Sequence, residues 1–216
     1  MDSTYVHLRQ ALALDWSAPP EAARRELRRV PGGRRAPLGV VAAIREDLAD
    51  EARDAPARAD RLVAAAAQVE ASARAGEAPT WARLCALQRR VLGVRDDAAI
   101  VRSGPAGCAD RRYGWWPRLA ERLAAKLAAD ARQPLHPVLQ AARLYLDLIH
   151  LHPFVDGNAR AARLGLLWWL ALPGLPAPRL DPLVRLPKPA GAPPWTFVRL
   201  IAAGVRVCPE RPGLCS

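Results

Sequence analysis

A chain of 216 residues, 51% of them apolar and 25% charged, is long enough to bury a core as one domain, or as one domain with an extension. Its longest uncharged apolar run, residues 164–172, is too short to span a bilayer, and Met1-Asp2-Ser3 opens without the basic and apolar regions of a leader, so a cytoplasmic chain with no membrane partner is expected. The net charge of +11 raises a nucleic-acid partner, yet Lys126 and Lys188 are the only lysines, no nucleic-acid fold signature accompanies the arginines, and a coding bias toward Ala, Arg and Pro gives the same pattern.

In chain order, residues 1–57 read as an arginine-rich extension, partly helical near 38–48 and interrupted by Pro31-Gly32-Gly33. Its densest cluster, Arg24-Arg25-Glu26-Leu27-Arg28-Arg29 continuing to Arg34-Arg35, suits a solvated arm or an acidic partner better than a DNA-reading helix. An alanine-rich helix follows over 57–76, with Leu62, Ala66 and Val69 on one side, and Pro79-Thr80 starts another that runs to about Leu92. Residues 93–116 form a loop region; exposed carboxylates such as Asp96 and Asp97 ordinarily do no more there than meet water. Pro117 opens an amphipathic helix with Leu119, Leu123 and Leu127 at core spacing. Pro134 and Pro137 suit a helix start, and Val138, Ala142, Tyr145, Leu146 and Ile149 recur at helical spacing toward His152. Pro153 and Gly157 break that run, after which residues 164–172 are apolar on every side, as in a buried central helix. The proline-rich stretch 173–194 reads as an extended wrap, 195–205 as a last helix and 206–216 as a tail. The expected fold is all-α, with the principal domain over 58–205.

The chemistry concentrates in His152-Pro153-Phe154-Val155-Asp156-Gly157-Asn158-Ala159-Arg160-Ala161-Ala162-Arg163. The first N–H groups of a helix lack intrahelical partners and carry the positive end of its dipole, so the turn Gly157, Asn158 and Ala159 is a candidate anion cradle. Arg160 and Arg163, three apart, can offer forked donors to one polyanion, and a triphosphate suits them. Asp156 is an oxygen ligand of the kind Mg²⁺ accepts beside phosphates, and equally a helix cap. His152 has the titration range of a general base; taken alone, a histidine at a helix end is more often structural. His7, His136 and His150 lie outside the segment and read as structural.

These residues resemble the signature of the Fic family, His-Pro-Phe-x-Asp/Glu-Gly-Asn-Gly-Arg-x-x-Arg, and match it at every defined position except Ala159. Less specifically, Thr80-Trp81-Ala82-Arg83-Leu84 resembles the start of the helix before the family's flap, and Gly93-Val94-Arg95, Ile100-Val101 and Gly104-Pro105 resemble the flap itself. The resemblance implies an all-α bundle with a small β-hairpin flap near residues 94–106. It also implies transfer of AMP from ATP, with Mg²⁺, to a Ser, Thr or Tyr hydroxyl of a target protein. Carried over, His152 is the base and Asp156 the Mg²⁺ ligand. Gly157, Asn158 and Ala159 hold the α- and β-phosphates, Arg160 neutralises the leaving pyrophosphate, Arg163 pairs with the γ-phosphate, and Phe154 anchors the nucleotide-binding loop in the core. A flap of this kind binds a target mainly through its backbone.

Two departures bear on the outcome. Alanine at 159 would carry strain of about 1 kcal/mol or more if its φ were positive, and none if it is simply helical; its methyl could also alter which group is transferred. The family's inhibitory pattern, Ser/Thr-x-x-x-Glu-Gly/Asn, is absent, and the nearest match, Ser17-Ala18-Pro19-Pro20-Glu21-Ala22, holds two prolines. Control would then come from a separate inhibitor protein or another segment, or be lacking. The alternatives are the same site moving phosphate or another nucleotide-linked group, including to a small molecule, and a non-catalytic interaction or nucleic-acid-binding module. Cys85, Cys108, Cys208 and Cys215 have no metal or redox spacing, though Cys208 and Cys215 are close enough in sequence to pair. Trp115 and Trp116 could border a substrate groove, but are more simply core or rim residues.

Overall fold

The structure is a computed structural model that describes residues 15–30, 39–48, 51–108, 111–113, 117–133, 135–185 and 194–207. Its helices, labelled in chain order, are α1 (Glu21–Arg28), α2 (Val40–Asp47), α3 (Glu51–Asp54), α4 (Pro56–Arg74), α5 (Trp81–Leu92), α6 (Leu119–Arg132), α7 (Pro137–Leu151), α8 (Asn158–Ala171), α9 (Asp181–Arg185) and α10 (Pro194–Val207). Between α5 and α6 lies one antiparallel hairpin of β1 (Ala106–Cys108) and β2 (Arg111–Tyr113), paired Ala106 to Tyr113.

Local chemistry sets the helix ends. The Thr80 hydroxyl accepts from the Arg83 N–H and starts α5, and Gly93 ends it in the left-handed conformation. Pro137 occupies the first turn of α7, where its missing N–H costs nothing, and the His136 ring accepts from the Val138 N–H at 3.2 Å. His136 is therefore a cap, as expected of a structural histidine.

Helices α7 and α8 form the centre and pack together more extensively than any other described pair. Their approach depends on Gly165, where a Cβ would come within 2.8 Å of the Leu144 side chain. Leu164, Leu166, Leu167, Trp168, Trp169 and Leu170 are all buried, so α8 from Leu164 to Ala171 is enclosed on every side, as its sequence indicates. Each fully buried leucine contributes about 1.5–3 kcal/mol of transfer free energy, which makes this pair the rigid support for the loop between them. Helices α4 and α5 pack on one side of α8. On the other side of the core α10 packs on α7, where Tyr145 stacks on Phe197 with ring centroids 4.7 Å apart.

Three features differ from the sequence reading. The hairpin strands lie at 106–113, further along than the expected 94–106. Gly104 and Pro105 lead into the first strand, and residues 100–102 instead pair with the loop after α7. Helices α1 and α2, within the segment 1–57 read as an extension, place Ala23, Leu27, Val40 and Ile44 in the same buried cluster as α7 and α8. The proline-rich stretch contains the short helix α9, where the Asp181 carboxylate accepts from Arg185 at 2.6 Å. Trp115, Trp116, Cys208, Cys215 and residues 31–38 lie outside the described residues.

Candidate active site

The loop from His152 to Gly157 joins the two central helices, and its shape is fixed from within. The buried Asn158 side chain accepts from the Phe154 N–H and donates to the Phe154 carbonyl, both at 2.9 Å. Asn158 thus closes the loop with its amide. Phe154 is fully buried and stacks on Trp81 at 5.4 Å, so it is a core anchor with no surface left to touch a nucleotide.

Gly157 takes φ +74° before α8 begins, a left-handed turn that favours glycine. A Cβ there would stand 2.5 Å from Gln88 Nε2, because Gln88, 1% exposed, donates to the Asp156 carbonyl at 2.6 Å. The Gly157 N–H is itself taken by the Asp156 carboxylate at 2.5 Å. The first intrahelical bond is Ala161 N–H to the Gly157 carbonyl, so the N–H groups of Asn158, Ala159 and Arg160 have no intrahelical carbonyl to donate to. Ala159 is helical and exposed, with no positive φ. Its methyl carries no backbone strain.

Asp156 is 72% exposed, and its second oxygen accepts from Arg160 Nη2 at 3.1 Å. The described residues contain no group of three His, Cys, Asp or Glu side chains that could hold a metal alone. A single accessible carboxylate fits Mg²⁺ that arrives with phosphates and keeps waters, and does not fit an all-protein metal cage. Arg163 points elsewhere: Nη1 pairs with the Asp47 carboxylate of α2 at 2.8 Å. The two arginines, expected to share one anion, are divided between Asp156 and Asp47.

His152 follows the last residue of α7 in the left-handed region, φ 48° and ψ 55°, an uncommon place for a non-glycine residue. Its Nδ1 lies 3.4 Å from the Ile149 carbonyl; with Nδ1–H as donor, the Nε2 lone pair is left to accept a proton. Burial holds the imidazole below the ordinary histidine range, with a further push in that direction from Arg102. The ring stacks on Tyr113 of β2, centroids 3.8 Å apart and planes 17° from parallel.

The loop also borders residues 100–102. Val101 bridges Phe154, the Val155 N–H donates to the Ile100 carbonyl at 2.9 Å, and the Arg102 N–H donates to the Pro153 carbonyl at 3.0 Å. Sequence reasoning missed Arg102, Tyr113, Gln88 and Asp47. Each meets the motif from a distant part of the chain, and none has a local pattern that would single it out.

The architecture and the loop define a class: an α-helical bundle that presents a histidine and the N-terminus of a central helix from one short connection. Residues 80–170 match the family model described as Fic/DOC family. That match takes in 91 of the 216 residues, the motif loop, α7 and α8 up to Leu170 among them. Among relatives, the protein adenylyltransferase Fic of Drosophila melanogaster and that of Drosophila grimshawi are 35% and 34% identical to it over 86 residues. That alignment covers 40% of this chain and 16% or 17% of theirs, so the chain spans less than a fifth of these curated relatives. Among solved structures, a substituted IbpAFic2 in complex with adenylylated Cdc42 has a TM-score of 0.69 at 16% identity, covering 94% of this chain and 74% of that one. A Fic family protein from Desulfovibrio desulfuricans has a TM-score of 0.52 at 17% identity, with 94% and 70% covered. Both show a shared fold.

Proposed function

We propose that this chain is a nucleotidyltransferase that moves AMP from ATP to a Ser, Thr or Tyr hydroxyl of a target protein. The observation that carries the reading is the placement, in one rigid loop, of a histidine with Nε2 available and of the unpaired N–H groups that begin α8. The names of the relatives, and the adenylylated partner of one structural neighbour, agree with it.

In this reading His152 Nε2 takes the hydroxyl proton as the oxygen attacks the α-phosphorus. A P–O bond to the target forms, the bond between the α-phosphorus and the bridging oxygen breaks, and pyrophosphate leaves. The N–H groups of Asn158, Ala159 and Arg160 hold the phosphates, and the Arg160 guanidinium offsets the charge that develops on the leaving group. Asp156 would hold Mg²⁺, which when bound neutralises charge on the phosphate oxygens. Arg163 reaches the γ-phosphate only by leaving Asp47, so nucleotide binding exchanges one anion for another there. The remaining work is positioning. The domain division read from sequence, a catalytic unit over 58–205 with flanking segments, is part of the same proposal.

Protein incubated with Mg²⁺, a cell lysate and ATP labelled at either the α- or the γ-phosphate decides the reaction. Label retained from the α-position alone is the expected result. Label from the γ-position alone means phosphoryl transfer and overturns this assignment. The depressed His152 titration adds a pH expectation: only neutral imidazole is a base, so activity should persist below the ordinary histidine value of about 6.5 and fall at lower pH.

A further inference from the structure

Arg102 is 8% exposed and is not a residue of the motif. Its side chain donates from Nε to the His152 carbonyl at 2.5 Å, from Nη2 to the Leu151 carbonyl at 2.8 Å and from Nη1 to the Gly104 carbonyl at 2.5 Å. Its backbone N–H donates to the Pro153 carbonyl at 3.0 Å. One residue thus binds three consecutive carbonyls, 151 to 153, centred on the histidine. Carbonyls at the end of α7 lack intrahelical partners and carry the negative end of its dipole, so a buried guanidinium suits them both by hydrogen bonding and by charge. The left-handed backbone of His152 is disfavoured for a residue with a Cβ, and the Arg102 fork supplies contacts that hold it. The Nη1 bond to Gly104 fixes the chain where it enters β1, and β1 is paired to β2, whose Tyr113 covers the imidazole.

We propose that Arg102 is a positioning residue that sets the pose of His152 and ties that pose to the flap, so that a target seated on residues 100–108 and 111–113 and the base that deprotonates it move as one unit. The inference rests on the reading of His152 as the base. A lysine cannot reproduce it, since one ammonium lacks the planar fork that reaches separate carbonyls. The charged or titratable groups that face the imidazole are Arg102 from the flap side, Asp156 from the loop and Tyr113 from the hairpin.

The test compares Arg102→Lys and Arg102→Met with wild type and with His152→Ala, which assigns the His152 resonance. Four quantities are read: kcat, KM for ATP, the proton NMR titration of the His152 ring, and the nuclear Overhauser contact between Tyr113 and His152. The expected result is a kcat lower by roughly 10–100-fold in both variants, because misplacing a base by about 1 Å costs that much, while KM for ATP changes by no more than about threefold. The Tyr113 contact should weaken in both. In Arg102→Met the His152 titration should move to higher pH, since a cation that opposes imidazolium is gone, and the acid limb of kcat should move with it. Arg102→Lys should shift it less while still losing kcat, which separates geometry from charge. Unchanged kcat, ring titration and Tyr113 contact in folded Arg102→Lys would overturn the proposal, even if melting temperature falls. If wild type and His152→Ala prove equally inactive, the functional reading fails, and the titration and ring contact still decide whether Arg102 sets the histidine's pose.

Discussion

Gly157 is the motif residue with the least freedom to change. Its φ of +74° disfavours a side chain, and the Cβ would collide with the buried Gln88 amide. Gly157→Ala should cost about 1–2 kcal/mol in left-handed backbone strain, read as a lower melting temperature. Nucleotide-induced stabilisation should be lost as well, because the turn aims the α8 donors; full retention of that stabilisation would contradict the assigned role. His152, Asp156, Arg160 and Arg163 stand out in sequence as candidates because they are close together in the chain. Their partners were not. Gln88 reaches Asp156 across 68 residues and Arg102 reaches His152 across 50, and no periodicity encodes such a pairing. Ala159 was undecided for a local reason: its effect depends on φ, which the structure gives as helical.

At the scale of elements, helices were readable from apolar period and caps, as in α5 with Thr80 and Gly93, and α7 with Pro137. The flap was less so, since Ile100 and Val101 are as suited to pairing with a loop as to pairing with each other's neighbours in a hairpin. Helix α2 shows what an arginine-rich N-terminal stretch conceals. It buries Val40 and Ile44 and brings Asp47 onto Arg163 at 2.8 Å. In the proposed role, Arg163 would have to exchange that carboxylate for a phosphate. Asp47→Ala should lower the melting temperature of the free protein, since a mostly buried arginine loses its partner at a cost of about 1–3 kcal/mol. The same variant should gain more stabilisation from ATP and Mg²⁺ than wild type does, because binding no longer has to break an ion pair. Equal gains in the two proteins would show that Arg163 does not meet the nucleotide.

At the scale of the whole molecule, the loop is held by a core that also contains charge. Asp130 on α6 is buried and pairs with Arg143 of α7 at 2.7 Å, and Lys126 bonds the buried Asp147 beside them. Burial pushes the Asp130 carboxyl up to about 6 in spite of both cations. A carboxyl whose folded value is raised contributes stability below its unfolded value of about 3.9 and loses it as pH rises through about 6. Arg143→Met removes the closest cation and should cost about 3 kcal/mol near neutral pH. The loss should be smaller at pH 5 than at pH 8, and a pH-independent difference in melting temperature would contradict it. The +11 charge settles none of this, since these arginines act through the places they occupy in the fold. Whether His152 drives AMP transfer from this loop is decided by intact-mass analysis of wild type and His152→Ala after incubation with ATP, Mg²⁺ and a lysate. A mass gain of one AMP on the protein or on a lysate protein with wild type, absent with His152→Ala, is the expected result; the same gain with both proteins, or a gain of one phosphate instead, would contradict it.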